Sequence, residues 1–378
     1  PSEISIDPSI VNWTAAEKQQ ICNTLGLTPA ALERKLRVKN ARFKILARKV
    51  SVKAKQGLAS IKFLHYKAFD TRFYPLGEAA APLLGVINSK QQGVVGIEQY
   101  YNESLSGTNG KASYEVDAKN QVISAPIIKK PTKHGQEIQL TIDAPLQSQV
   151  YDIVKRAVAK YDAVGGVVIV TEVASGDILA MVNYPSFNPN ESISEHNKIR
   201  KNHAVQSRIE PGSTIKPVWI SWLLNKQLVT PDLKIKTSPG RLKIDDGVVK
   251  DTQDNGTLGL EEILSKSSNV GMAKLIIDLP SRVVEKMMID MKLSHHYALG
   301  LPGEVSGMMN QQIEHSPFAK AVSSFGYGLA ITPIELARSY AIIAAGGIDY
   351  PPRIVSSAQS KTQKVLNKEV AQRVSGML

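Results

Sequence analysis

Ser213 and Lys216 stand three residues apart in Glu210-Pro211-Gly212-Ser213-Thr214-Ile215-Lys216-Pro217, just ahead of an apolar run. A serine hydroxyl is a poor nucleophile at its own pKa and needs a base within hydrogen-bond reach; a lysine kept in apolar surroundings gives up its proton readily enough to serve. Residues three apart on a helix are neighbours, so the spacing lets Lys216 reach the Ser213 hydroxyl. Backbone N–H groups at a helix start also point toward charge developing beside Ser213. The chemistry would be nucleophilic attack by a base-activated serine. The same spacing arises about once by chance in a chain of this length, and a helix N-cap serine with a solvated lysine would satisfy it equally.

The elements around the pair are those such a site needs. Ile215, Val218, Trp219, Trp222 and Leu223 recur at the spacing of a buried helical face, with Pro211-Gly212 supplying the turn before it and Pro217 tolerable in the first helical turn. Further along, Arg241 to Lys250 holds Asp245-Asp246-Gly247 between Ile244 and Val248, a hairpin signal. Leu258 to Leu264 reads as a helix delivering Ser265-Lys266-Ser267-Ser268-Asn269, after which Met272, Leu275 and Ile276 continue as another apolar helix. A Ser-Lys pair needs a second polar group to relay a proton and another to hold substrate, and Ser267 and Asn269 are of the right types.

The rest of the chain supplies the frame. Residues 1 to about 70 mix short helical patterns with basic loops, Thr28-Pro29 opening one helix. Residues 126 to 136, with Pro126, Pro131 and Gly135, look like a crossing between domains, so a first module over 1–135 and a second over 136–378 are expected. Glu137 to Ile142 alternates as a strand, and Pro145 opens a helix carrying Leu146, Val150, Ile153 and Val154. Gly165 to Val173 and Ile178 to Asn183 read as a hairpin across Ala174-Ser175-Gly176-Asp177. Thr332-Pro333-Ile334-Glu335 is a capping box whose helix ends at Gly346-Gly347. The order of elements indicates an α+β fold.

Composition narrows the function. With one cysteine, Cys22, neither a disulfide framework nor a cysteine-based zinc site can be built within the 378 residues, and the seven histidines lack His-Glu-x-x-His spacing, so no metal or cofactor is expected. Twelve Lys or Arg and no acid fall between Arg34 and Phe69, equal to the whole net charge of +12. Few aromatic residues interleave with them, which argues against a nucleic-acid platform and leaves an anionic surface, a partner contact or a solvated face. Cys22, Trp13 and Met308-Met309 read as packing residues. No stretch reaches the length of a membrane span. The chain begins with Pro1, and Val370, Val374, Met377 and Leu378 keep helical spacing to its end, so a piece of a longer product, with an anchor before it, is expected.

Ser-x-x-Lys followed by Ser-x-Asn matches the first two elements of the penicillin-recognising serine enzymes. Together with Arg72-Phe73-Tyr74-Pro75-Leu76-Gly77, Gly96-Ile97-Glu98, Lys266 to Gly271 and Ser324-Phe325-Gly326-Tyr327-Gly328, the chain resembles a class B penicillin-binding protein, a monofunctional D,D-transpeptidase, and its division (septal) branch in particular. The resemblance implies an elongated N-terminal pedestal, then a transpeptidase domain built as an antiparallel sheet flanked by helices. It implies Ser213 as nucleophile toward the penultimate D-alanine of a stem peptide and Lys216 as general base. Ser267 would be the proton relay and Asn269 the holder of the substrate amide and of Lys216. Ser268, Gly326, Tyr327 and Gly328 would lie on the substrate side. β-Lactams would trap Ser213, the partners would be divisome membrane proteins including a glycosyltransferase, and the location would be the bacterial inner membrane with the catalytic domain in the periplasm.

One family element is missing. Neither Lys-Thr-Gly nor Lys-Ser-Gly follows Asn269, and Lys236-Thr237-Ser238 precedes it without the glycine. That motif completes the oxyanion hole and binds the substrate carboxylate in the family, and losing one oxyanion donor costs ~100-fold or more in rate. A C-terminally shortened domain, impaired as a fragment, is therefore expected. The other readings are a non-catalytic divisome scaffold, which would predict erosion at Ser213, Lys216 or Asn269, and a D,D-carboxypeptidase or β-lactamase, which usually lacks so long a first module.

Overall fold

The structure is a computed structural model that describes the chain except residues 1, 9–12, 38–43, 51, 69–71, 116, 118–122, 192–200, 281 and 357–360, with backbone alone at 2, 48, 49, 52 and 68. Lys39 and Arg42 of the basic run, and Thr71, lie outside the described residues. The chain forms two compact units, Pro1–Phe73 and Tyr74–Leu378.

The first unit is built on a three-stranded antiparallel sheet in the order Lys44–Val50, Ser2–Ile6, Leu64–Ala68. Ile4 and Ile6 of the central strand are buried with Ile21, Cys22, Leu32 and Leu46, so the sheet and the helices Ala15–Leu25 and Pro29–Leu36 share one core. The second helix starts as expected, Ala31 N donating to Thr28 Oγ1 at 3.2 Å. The sheet itself corrects the reading of this region as helices and loops. Its central strand is five residues long, its partners lie about forty to sixty positions away, and register shifts break the alternation of Lys44–Val50. Cys22 is packed as expected, whereas Met308, in the second unit, is 53% exposed on the short strand Met308–Met309.

In the second unit, residues 126–136, read as a crossing between domains, carry one strand of a two-stranded arm. Ile127–Lys130 pairs with Lys111–Ser113 as a two-stranded antiparallel arm, with Thr108 bridging Lys133, so its prolines and glycines punctuate a hairpin inside a unit that begins at Tyr74. Beyond it, 137–142 is an irregular extended segment and not a strand. Leu140 makes one bridge to Val355, Asp143 N donates to Leu179 O, and Ile138, Leu140 and Ile142 still turn toward a core holding Ile178, Met181 and Ile354. Alternation set the burial there, but regular ladder partners were lacking.

The helix Ala144–Lys160 is capped by Asp143 and packs on the hairpin Gly166–Thr171/Ile178–Tyr184. Buried Gln147 joins them, donating to Ala79 O and Met181 O and accepting from Met181 N, so all of its amide is used. The helix Pro333–Ala344 has the expected Thr332/Glu335 capping box and packs against strand Gly166–Thr171. The largest core centres on helix Lys216–Asn225, where Trp219 and Trp222 lie edge to face among Leu223, Ile263, Met272, Met287 and Val374. The strand Arg241–Ile244 turns through Asp245-Asp246 into Gly247–Lys250, as the turn residues predict. The antiparallel hairpins and the helices packed on them give the second unit the α+β character expected of it.

Candidate active site

Nine consecutive residues, 216–224, are buried in the helix that Lys216 opens, and a single 3₁₀ turn, Gly212–Ile215, precedes it. Gly212 makes that turn at φ +58, a conformation glycine adopts without steric cost. Ser213 is thereby left exposed at the surface while Lys216, three residues on, is 1% exposed.

Lys216 Nζ donates to Ser267 O at 2.7 Å, to Asn269 Oδ1 at 2.9 Å and to Ser267 Oγ at 3.0 Å. These three acceptors satisfy an ammonium completely. Ser267 Oγ donates in turn to Ser213 Oγ at 3.0 Å. The direct reach expected from the Ser-x-x-Lys spacing is thus replaced, among the described residues, by a bridge through Ser267. Burial pulls the Lys216 ammonium down to about 8, against an opposing pull from the Asp251 carboxylate. Roughly a tenth of the lysine is then neutral at pH 7. A neutral Lys216 has a lone pair to accept the Ser267 proton while Ser267 accepts that of Ser213, which is the geometry of a two-step relay.

The relay depends on a turn. Ser267 holds φ +51, a left-handed conformation costing a non-glycine residue roughly 1–2 kcal/mol, and it presents both its carbonyl and its hydroxyl to Lys216. Asn269 begins helix Asn269–Ile276, and its Nδ2 donates to Lys250 O at 3.1 Å. That bond fixes the amide so that Oδ1 faces Lys216 and a second N–H is left for another acceptor.

Ser268 does not face the substrate side. Its side chain is buried as the N-cap of the same helix, accepting from Gly271 N at 2.9 Å and donating to Asp251 Oδ2 at 2.6 Å, because the left-handed Ser267 turns the next residue inward. Gly326 is also buried. At φ +92 it lies so close to the nucleophile turn that a Cβ would stand 2.3 Å from Gly212 N and O. Gly328 N donates to Glu210 Oε1 at 3.0 Å. Of that stretch, Tyr327 alone stands open, 55% exposed and edge-on to buried Phe325. Gly326 and Gly328 therefore brace the Ser213 turn, and Tyr327 is the group a ligand would meet.

Three contributors went unread in the sequence. Asp251 accepts from Asn269 N and Val270 N as well as from Ser268. Glu210 ties down Gly328, and Tyr340 OH donates to Thr214 O at 2.8 Å. Glu210 was within the motif, but no spacing signals the other two. A cavity of about 780 Å³ lies between Gly166, Ile169, Leu336, Tyr340 and Thr214. It adjoins the Ser213 turn at Thr214, and neither Ser213 nor Lys216 lines it.

An exposed serine joined through a second serine to a buried lysine, beside a Ser-x-Asn turn and among helices and antiparallel hairpins, is the arrangement of the penicillin-recognising serine enzymes. Residues 166–378 match the penicillin-binding protein transpeptidase domain and residues 2–140 the penicillin-binding protein dimerisation domain, so the chain belongs to the penicillin-binding proteins. It is 35% identical over 312 residues to the peptidoglycan D,D-transpeptidase FtsI of Escherichia coli strain K12, covering 82% of this chain and 53% of that protein. To the FtsI of Buchnera aphidicola subsp. Baizongia pistaciae it is 32% identical over 352 residues, covering 90% of this chain and 60% of that one. The chain thus spans a little over half the length of these relatives. Penicillin-binding protein 2X from Streptococcus thermophilus shares the fold at a TM-score of 0.73 and 24% identity, over 100% of this chain and 62% of that one. A peptidoglycan synthetase from Bifidobacterium adolescentis does so at 0.70 and 23%, over 100% and 76%.

Proposed function

We propose that the protein carrying this chain is a peptidoglycan D,D-transpeptidase of cell division that works through a Ser213 acyl-enzyme. The observation that carries the reading is the continuous path from Lys216 Nζ through Ser267 Oγ to Ser213 Oγ, at 3.0 Å for each step. The Ser213 oxygen attacks the penultimate D-alanine carbonyl as its proton passes through Ser267 to Lys216. The carbon–nitrogen bond to the terminal D-alanine then breaks, the proton returns through Ser267 to the leaving amine, and an ester on Ser213 remains. An amine of a neighbouring stem attacks that ester, forming the cross-linking peptide bond and restoring the Ser213 hydroxyl. A β-lactam follows the first half of this course, its ring amide opening without release of the leaving group.

Asn269 would hold the donor amide through its second N–H, and Tyr327 would border the donor. The septal role is supported by the FtsI relatives. Divisome membrane proteins including a glycosyltransferase are the partners we propose, with residues 1–135 as the pedestal that meets them and 136–378 as the catalytic module. The place is the periplasmic side of the inner membrane, through an N-terminal anchor; among the described residues no helix is long and apolar enough to cross a membrane. No described residue is assigned to the substrate carboxylate.

The test is a thioester donor ending like a stem peptide, offered with a D-amino acid acceptor. Ser213-dependent incorporation of the acceptor is expected. Hydrolysis of the donor with no incorporation would favour a carboxypeptidase, and no turnover with intact folding would favour a scaffold.

A further inference from the structure

We propose that Asp251 is a positioning residue of the acylation centre: its carboxylate clamps the Ser267–Asn269 turn that carries every acceptor of Lys216, and it stations a fixed negative charge behind that lysine. The inference rests on the acyl-transfer reading above.

Asp251 follows the hairpin strand Gly247–Lys250, where its N–H is held by Gly240 O at 3.0 Å. Its Oδ1 accepts from Asn269 N at 2.6 Å and Val270 N at 2.9 Å, and its Oδ2 accepts from Ser268 Oγ at 2.6 Å. Short bonds to a carboxylate are the strong kind, and the first N–H groups of a helix are open and favour negative charge. A simple cap was already present, because Ser268 takes Gly271 N. The carboxylate adds hold on 268, 269 and 270, the three residues that follow Ser267, with Asn269, the other residue that bonds Lys216, among them. A slip of this turn would shift Ser267 O, Ser267 Oγ and Asn269 Oδ1 together.

The charge acts in the same direction as the geometry. The hairpin that carries Asp251 also carries Lys250, and the turn that carries Ser267 also carries Lys266, both exposed. Of these, Asp251 is the one that acts on the lysine, favouring its ammonium against burial. Asp251 thus keeps Lys216 protonated at rest and bound to all three acceptors, yet within reach of neutrality.

The test measures penicillin acylation rates across the neutral and alkaline range for the parent, Asp251→Asn, Asp251→Glu and Ser268→Ala. In Asp251→Asn we expect the plateau to fall about 10- to 100-fold through misplacement, and the rising limb to move to lower pH because the ammonium loses its counter-charge. Asp251→Glu returns the limb toward the parent, and Ser268→Ala lowers the plateau without moving it. Should the asparagine variant not fold, Asp251→Ser carries the same comparison. A limb that stays in place in the uncharged variants overturns the proposal, leaving only a helix cap. If the parent shows no Ser213-dependent acylation at any pH, the functional reading itself has failed, and this inference falls with it.

Discussion

Lys216 Nζ donates to Ser267 Oγ at 3.0 Å, and Ser267 Oγ to Ser213 Oγ, so among the described residues the buried lysine is joined to the exposed Ser213 through another serine. Removing that hydroxyl should break the relay and little else, because Ser267 is exposed. We expect Ser267→Ala to lower the acylation rate by about 100-fold or more. Ser267→Gly should lose as much activity yet unfold at a higher temperature, since it relieves a left-handed residue at φ +51 worth about 1 kcal/mol. Thermal unfolding beside penicillin acylation separates the two effects.

The pH dependence follows from the lysine. Acylation needs neutral Lys216, so the rate should climb with pH and level off above about 8. Stability moves with the same group. Its folded pKa lies below the ordinary 10.5, so between about 8 and 10.5 the unfolded chain binds more protons and stability gains as pH rises. Lys216→Met, which removes the buried ammonium, should therefore be more stable than the parent at neutral pH, with the gap closing through that window. Denaturant unfolding of both proteins at several pH values would show it.

Gly326 has no room for a side chain. In Gly326→Ala the new Cβ would meet Gly212 backbone atoms at 2.3 Å from a residue at φ +92, so either the 324–328 stretch or the Ser213 turn must move. We expect a loss of about 1–3 kcal/mol in stability and a clear fall in acylation. Gly376→Ala, in open space on the last helix, is the control and should be neutral or stabilising.

Arg338, on the helix whose Tyr340 holds Thr214 O, and Asp349, on the short strand Ile348–Asp349, form a buried, two-pronged pair at 2.7 and 2.6 Å. Removing one partner strands the other's charge in the core. Asp349→Ala should cost about 3–5 kcal/mol, measurable by chemical denaturation.

What the sequence disclosed depended on the range over which each signal acts. The turn and helix that carry Ser213 and Lys216, the Thr332 cap, the Asp245-Asp246 turn and the helix after Pro145 are set by neighbours within a few residues, and the structure has these elements where they were read. Ser267 and Asn269 were recognisable by type and order, with Ser267 read as the proton relay, but the left-handed backbone at that serine on which the bridge rests was not. The same turn hides Ser268, which pattern alone put on the open side. Asp251 and Tyr340 gave no local sign, since their partners lie 17–19 and 126 positions away. The first unit's sheet escaped for the same reason. Its strands are short, irregular and far apart in the chain, so period-two alternation never accumulates.

The most direct test of the Ser213 acyl-enzyme is labelling of the protein that carries this chain with a fluorescent penicillin, beside its Ser213→Ala variant, followed by denaturing electrophoresis. A label that survives denaturation on the parent and is absent from a folded Ser213→Ala protein is the predicted result. Equal labelling of the two, or none on the folded parent, would contradict it.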